Sequence, residues 1–186
     1  MDYILYFFLF SFFGCLLEDL YAVYVYRKFV SKQTLLKSPL CPVYGVGAIV
    51  MLLTLAPVKS SPVLLFCGGF FAMSSVEYLS AVFYEHFYGV KWWDYSEEKG
   101  NFNGKVCIKL SLLWGFMAIA FFYGIYPVAQ KIIDGIDTYT KMVLSVLLVS
   151  FFVRDYKNTL KEIKKYSKAE KSLADGKFIS LKRIKC

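Results

Sequence analysis

The chain alternates long apolar segments with shorter polar ones. The apolar segments cover approximately residues 3–26, 40–56, 62–84, 106–126 and 139–153, with turns expected at 57–62 and 127–141. A helix needs about 20 residues to cross a hydrocarbon core of about 30 Å. The pattern therefore predicts an all-α, polytopic membrane bundle of about five transmembrane helices, of which the fifth is the shortest.

Composition agrees with a membrane protein. Hydrophobic residues make up 58% of the chain and aromatic residues 19%, and the mean hydropathy is +0.49. A soluble domain of 186 residues could not bury that much apolar surface. We therefore predict a transmembrane domain over residues 1–153, followed by a basic cytoplasmic tail over residues 154–186.

Charge predicts how the bundle is oriented. The formal net charge is +8, and half of the 22 Lys and Arg residues fall between Arg154 and Lys185. Basic residues beside membrane segments mark the cytoplasmic side and attract anionic lipid. We therefore expect the N-terminus outside, with residues 27–37, residues 85–105 and the tail in the cytoplasm. This placement argues against nucleic acid as a partner and favours the lipid bilayer, with anionic lipid at the tail.

Two glutamates stand out inside the apolar segments. Glu18 shares a helix face with small or polar residues such as Ser11 and Cys15, and Glu77 shares one with Ser74 and Ala81. With the predicted orientation, both carboxyl groups lie roughly 5–6 Å to the cytoplasmic side of the midplane. A carboxylate facing lipid is costly, so such groups are normally paired, protonated or wet.

These glutamates admit two interpretations. In the functional one, Glu18 and Glu77 line one cytoplasm-facing cavity that binds a cation, a polar substrate or a proton, and Lys109 is a candidate partner. In the structural one, they belong to a buried network that only holds helices together.

A polar, aromatic loop separates the third and fourth apolar segments. We expect it to close the polar cavity, and its candidate site residues are Trp92, Trp93, Asp94, Tyr95, Ser96 and Asn103. Two simpler interpretations remain open. The tryptophans are typical of an interfacial aromatic belt, and the sequence Asn-x-Asn-Gly is typical of a tight turn.

Other chemistry is sparse in the sequence. The five cysteines are scattered and His86 is the only histidine, so we expect no metal site and no cofactor. The pair Glu85–His86 could supply a base, although a lone histidine at a helix end is more often interfacial. The sequence contains no phosphate-binding loop of the type G-x-x-x-x-G-K-[ST], so ATP-driven transport would need a separate subunit.

Several short motifs together resemble a known family. They are Glu18, Cys41-Pro42-Val43-Tyr44-Gly45-Val46-Gly47, Ser75-Val76-Glu77-Tyr78, Trp92-Trp93-Asp94-Tyr95-Ser96, Asn103-Gly104-Lys105-Val106-Cys107 and Trp114-Gly115. In order and spacing they are similar to the bacterial family described as putative ABC-transporter type IV permeases (CmpB-like), over roughly residues 3–126. The resemblance implies a permease component of the bacterial cytoplasmic membrane. It adds Cys41, Tyr44 and Gly45 to the candidate substrate-binding residues.

Three functions fit these observations. The first is a transport subunit whose polar site is completed by a separate ATPase or by a second copy of the chain. The second is a membrane-embedded enzyme acting on a lipid or lipid-linked substrate, with Glu77, His86 or Asp94 as acid or base groups. The third is a structural or regulatory membrane protein. We favour the first and lean against an enzyme.

Overall fold

The computed structural model of the protein describes residues 1–26, 38–171 and 179–180. Most of this part of the chain is helical, which confirms the all-α class. The helices are α1 (Asp2–Tyr26), α2 (Pro42–Leu55), α3 (Pro62–Tyr88), α4 (Ile108–Ala120), α5 (Tyr126–Asp134) and α6 (Thr138–Lys171). A 3-10 turn, Ala56–Val58, extends α2, and a π-helical turn, Phe121–Ile125, joins α4 to α5.

Helix length and composition identify a membrane protein. Within the described residues, three helical stretches are long and apolar enough to cross a bilayer, namely Asp2–Leu20, Pro62–Tyr88 and Ile108–Asp134. The stretch Pro42–Val58 is apolar but shorter. Helix α6 continues to Lys171, well beyond the predicted end of the fifth span at residue 153. The number of spans and their direction stay predictions.

The sequence-based prediction was wrong around the end of the fourth apolar segment. Residues 127–141 were expected to form a turn region, whereas α5 is helical from Tyr126 to Asp134. The predicted turn begins at Pro127, and proline lacks the N–H that a helix interior uses. Here Pro127 is the second residue of α5, and α5 directly follows the wide π-helical turn, where the usual i→i−4 hydrogen bonding is already interrupted.

The chain divides into two compact units. Unit 1 comprises Met1–Ile49 and Tyr126–Lys161, and unit 2 comprises Val50–Ile125 together with the chain from Glu162 onward. Unit 1 thus holds α1, the first part of α2, α5 and most of α6. Unit 2 holds the rest of α2, α3, α4 and the polar segment between them.

Unit 1 is organised around the packing of α1. Lys141 at the start of α6 pairs with Asp2 at 3.1 Å. Further along, the ring of Phe152 meets the rings of Phe7 and Phe8 edge-on, at centroid distances of 5.7 and 5.8 Å. Because the first residues of the two helices lie together and later residues also meet, α1 and α6 run in the same direction.

The entry to α2 is held on both sides within unit 1. The Cys41 N–H donates to the Ser11 carbonyl of α1 at 2.9 Å. The Ser38 N–H donates to the Asp155 carboxylate of α6 at 3.0 Å, and its hydroxyl donates to the same oxygen. The segment before α2 is therefore fixed between α1 and α6.

Unit 2 is built on the close approach of α3 and α4. A side chain at Gly69 would meet the Cβ of Ala118, and one at Gly115 would meet the ring of Phe66. Small residues at such crossings let helix backbones approach closely, as is typical of membrane helix pairs. One turn along, the Ser74 hydroxyl donates to the Ser111 hydroxyl at 2.6 Å.

Residues 89–107, here called the cap segment, connect α3 to α4. Gly89 ends α3 with a left-handed backbone, φ 65°, and its N–H donates to the Glu85 carbonyl. Strands β2 (Asn101–Phe102) and β3 (Val106–Cys107) form an antiparallel hairpin, with Asn101 opposite Cys107. Strand β1 (Val90–Lys91) pairs in parallel with β4 (Ile179–Ser180).

Candidate functional site

A buried carboxylate lies where α3, α4 and the cap segment meet. The Glu77 side chain is only 6% exposed. The Tyr95 hydroxyl of the cap segment donates to Glu77 Oε1 at 2.9 Å, and the Trp114 indole N–H of α4 donates to Oε2 at 3.1 Å. Hydrogen bonds to a carboxylate are stronger than those between neutral groups, so the two donors offset much of the cost of burial.

The helix periodicity of α3 explains why Glu77 faces this junction. Ser74, Glu77, Ala81 and Tyr84 recur at intervals of three or four residues and therefore lie on one face. Glu77, Ala81 and Tyr84 are buried, and Ser74 is bonded to Ser111 of α4. The small-polar face that the sequence predicts is thus the face that α3 turns toward α4 and the cap segment.

The cap segment holds Tyr95 in place through its own backbone. The Tyr95 N–H donates to the Gly104 carbonyl at 2.8 Å, and the Tyr95 side chain is 4% exposed. Nearby, the Trp93 indole N–H donates to the Lys105 carbonyl at 2.8 Å. The ring of Tyr84 contacts the rings of Trp92 and Trp93. The backbone of the hairpin turn therefore holds the preceding part of the cap segment, from which the Tyr95 phenol reaches Glu77.

The hairpin turn has little space. Gly104 has φ 67°, and a Cβ there would meet the Ser96 hydroxyl and, at 2.9 Å, Asp94 Oδ1. Its N–H donates to Asn101 Oδ1 at 3.0 Å. Glycine is needed here both for the left-handed backbone and for the close approach.

Asp94, Ser96 and Asn103 make contacts typical of turns. Asp94 Oδ1 accepts from the Ser96 N–H at 3.0 Å and from its hydroxyl, while the Lys91 ammonium lies 3.8 Å from the other oxygen. Asn103 has φ 52°, a region that asparagine tolerates. Its amide approaches the Tyr78 hydroxyl at 3.4 Å. These contacts shape the loop that presents Tyr95.

The charged neighbours of the site are placed as follows. Lys105 forms an ion pair with Glu85 of α3 at 2.5 Å. Lys109, which the sequence suggested as a partner of the glutamates, is exposed in the first turn of α4. His86 is exposed beside the ring of Phe87. The described hydrogen bonds to Glu77 come from neutral donors, a phenol and an indole.

The remaining candidate residues lie in unit 1, around the contact of α1 with α2. Glu18 is half-buried on α1 and lies close enough to the Cys41 thiol to interact with it electrostatically. A side chain at Gly14 would meet the ring of Tyr44, and one at Gly45 would meet Ser11 and the backbone of Phe7. Tyr44 and Gly45 therefore form the close contact between these helices. A cavity shared by Glu18 and Glu77 stays a prediction.

The most important contact that the sequence did not predict is the hydrogen bond from Trp114 to Glu77. Trp114 was noted only as part of the motif Trp114-Gly115, although it is one of three tryptophans in the chain. A tryptophan in the middle of an apolar helix, beside a glycine, has an N–H that needs an acceptor, and that requirement was the available signal.

The arrangement around Glu77 is suited to binding. Among residues 1–26, 38–171 and 179–180, no group of three or more His, Cys, Asp or Glu side chains comes together as metal ligands would. What the site offers is a carboxylate enclosed by two directional donors. Such a group can bind a proton, a cation or a polar group.

Comparison with known proteins identifies a family. The family model described as Putative ABC-transporter type IV matches residues 5–160 of the chain. No curated protein and no solved structure matches the chain significantly.

Proposed function

Because the chain belongs to the family described as Putative ABC-transporter type IV, we propose that it is the membrane-embedded subunit of a transport system. The system lies in the bacterial cytoplasmic membrane, and the polar site around Glu77 receives a polar substrate from the cytoplasm. A separate ATPase subunit, or a second copy of the chain, completes it.

The buried position of Glu77 is the observation that carries this proposal. Glu77 lies in the helix Pro62–Tyr88, which is long and apolar enough to cross a membrane. An ionisable residue in such a helix costs at least about 2.5 kcal/mol on insertion scales, so it marks a functional site by default. The aromatic cap over Glu77 can restrict access to it.

The proposed orientation places the cap segment in the cytoplasm. It assumes five spans with the N-terminus outside, so that residues 27–37, the cap segment and the basic tail share one side. The positive-inside rule supports this arrangement because the segments assigned to the outer side hold only Lys59, Lys131 and Lys141.

The need for a partner follows from the sequence. The chain has no phosphate-binding loop, so energy from ATP would have to come from another subunit. The basic tail is the proposed contact with anionic lipid.

The first observation to make is whether a gene for an ATPase lies beside the gene for this chain, and the test is reconstitution of the full chain in vesicles with that ATPase. We expect the chain to stimulate ATP hydrolysis and Glu77→Gln to abolish most of that stimulation. The control is Lys131→Gln, which changes an exposed residue on α5 and should retain the stimulation. Unchanged hydrolysis with and without the chain would contradict the proposal, and turnover of vesicle lipid without any ATPase would favour the enzyme alternative.

A structural role is the second candidate, and one observation favours it. Ser74 with Ser111, and Glu77 with Tyr95 and Trp114, bond to one another as helix-joining groups would. A Glu77→Gln variant separates the structural role from the transport role, because the glutamine amide oxygen can still accept a hydrogen bond from one of the two donors. A variant that folds and inserts normally yet loses the ATPase response excludes a purely structural role.

A further inference from the structure

The two donors to Glu77 differ in what they can do. The Trp114 indole N–H can only donate, so Glu77 Oε2, 3.1 Å away, must accept. The Tyr95 hydroxyl can donate or accept, and it faces Oε1 at 2.9 Å. The two oxygens of one carboxyl group are therefore chemically distinct.

We propose that Glu77 is an exchangeable proton-binding site, with the proton held on Oε1 and shared with the Tyr95 hydroxyl. This inference deepens the proposed function and rests on it for the purpose of the site. The proton is the ion whose binding accompanies transport. A proton on Oε2 would face the indole N–H, so the geometry selects Oε1.

Of the two hydrogen bonds to Glu77 described above, proton uptake reverses the direction of one and breaks neither. In the ionised state Tyr95 donates to Oε1, and in the protonated state Oε1–H donates to the Tyr95 oxygen. The Trp114 bond to Oε2 persists in both states. The cap segment therefore stays attached to α3 whether or not the proton is bound.

The Tyr95 hydroxyl is also the route by which the proton exchanges. When Oε1 gives its proton to the Tyr95 oxygen, the hydroxyl releases its own proton to a water molecule from solvent. Atoms and charges balance, because one proton enters the phenol oxygen and one leaves it.

The charged or titratable groups on the surrounding elements include His86, Glu97 and Lys99, which are exposed, and Glu98, which is half-buried. On α3, Glu85 is paired with Lys105. On the cap segment, Lys91 lies against Asp94. On α4, Lys109 is exposed, and Cys107 immediately before this helix is buried. Neither of these two ion pairs includes Glu77.

The test is infrared difference spectroscopy of the full chain in lipid vesicles, titrated from mildly acidic to mildly alkaline pH. We expect a protonated-carboxyl C=O band that titrates, that shifts in heavy water and that Glu77→Gln removes. Trp114→Phe should move this band to higher frequency, because the C=O oxygen, Oε2, loses its donor. The control Trp93→Phe removes an indole that bonds the Lys105 carbonyl and should leave the band unchanged.

Exchange kinetics test the role of Tyr95. Tyr95→Phe should slow deuterium exchange of the carboxyl proton several-fold, whereas Trp114→Phe should not. Equal exchange in Tyr95→Phe and the unaltered chain overturns the assigned route. In the unaltered chain, a carboxyl band that is absent at every pH, or that neither titrates nor exchanges, overturns the proton site itself. This measurement does not depend on the folding of any variant.

These measurements need neither substrate nor ATPase. A titrating Glu77 band together with unstimulated ATP hydrolysis would reject the proposed function and leave the proton site standing. Stimulated ATP hydrolysis without any Glu77 band would reject the proton site and leave the proposed function standing.

Discussion

At the scale of single residues, the hydrogen bonds of Glu77 decide how the site is held. Its carboxylate, 6% exposed, is reached by one donor from the cap segment and one from α4. A buried acceptor that loses its donor keeps the cost of desolvation without the compensating bond. Removal of either donor should therefore cost more than removal of an exposed polar group.

Tyr95→Phe tests this balance. The variant keeps the ring and removes the hydroxyl that donates to Glu77, so the free energy of unfolding should fall by about 1–3 kcal/mol. The measurement is thermal unfolding in detergent followed by circular dichroism. The matched control is Tyr139→Phe, since Tyr139 is 72% exposed and its hydroxyl bonds to no described group in the structure. Equal effects of the two variants would contradict the assigned bond.

Gly104→Ala tests the hairpin turn. A left-handed backbone costs a non-glycine residue about 1–2 kcal/mol, and here the new methyl group would also meet Asp94 and Ser96. The control is Gly89→Ala, at φ 65°, where a Cβ meets no atom within 4 Å. Gly104→Ala should lower the melting temperature more than Gly89→Ala, and the opposite order would show that the turn can open without cost.

Some of this residue-scale detail could be predicted from the sequence and some could not. Helical spacing was enough to put Glu77 on a small-polar face, and the polar loop that contains Tyr95 was predicted to close the polar cavity. The choice of partner was not predictable, because it depends on the path of the cap backbone, which turns Tyr95 inward and leaves Lys109 outside. Spacing says which face a residue occupies but not which residue of another element meets it.

At the scale of helices and strands, the contact of α3 with α4 sets the geometry of the site. Trp114 lies on α4, and its backbone carbonyl is 3.0 Å from where a Cβ of Gly69 would stand. The separation of the two helices therefore controls whether the indole reaches Glu77. Apolar periodicity predicted both helices, while their closeness depends on glycines whose partners the sequence does not identify.

Two adjacent glycines offer a controlled test of this contact. Gly69→Ala places a methyl group against Ala118 and the α4 backbone, which cannot move without separating the helices. Gly68→Ala meets only the end of the flexible Leu55 side chain. We expect Gly69→Ala to destabilise the protein by about 1–3 kcal/mol and Gly68→Ala to cost clearly less. Thermal unfolding of both variants in the same detergent decides the question, and equal losses would mean that the helices are not in close contact.

The helix ends show where sequence patterns are least informative. The turn predicted at residues 127–141 begins at Pro127, whereas α5 is helical from Tyr126 to Asp134. Proline is compatible with the first turn of a helix because the N–H that it lacks is not used there. The π-helical turn before α5 allows a new helix to begin inside an apolar stretch, so that Pro127 lies in a first turn. No residue type in the sequence predicts such a π-helical turn.

At the scale of the whole molecule, charge distribution remains the guide to orientation. The exposed lysines Lys59 and Lys99 lie on opposite sides of the membrane in the proposed arrangement, although both belong to unit 2. Hydropathy predicts membrane insertion directly. The side on which each loop lies follows only from the distribution of Lys and Arg.

A pair of cysteine substitutions tests this orientation. With a membrane-impermeant thiol reagent on intact cells, Lys59→Cys should be labelled, and Lys99→Cys should be labelled only after the membrane is opened. The parent chain, with its native cysteines, supplies the background signal. Labelling of Lys99→Cys in intact cells would invert the proposed orientation and remove the cytoplasmic entrance to the site.

The three tryptophans have a practical consequence beyond structure. Trp114 bonds Glu77, Trp93 bonds the Lys105 carbonyl, and Trp92 lies against Tyr84, so every indole in the chain belongs to the cap segment or to the carboxylate beneath it. The intrinsic fluorescence of the protein, excited at the indole absorption, is therefore a signal from this one locality. A library of small molecules can be screened against the unlabelled protein, and a change in emission would report an event at the site itself.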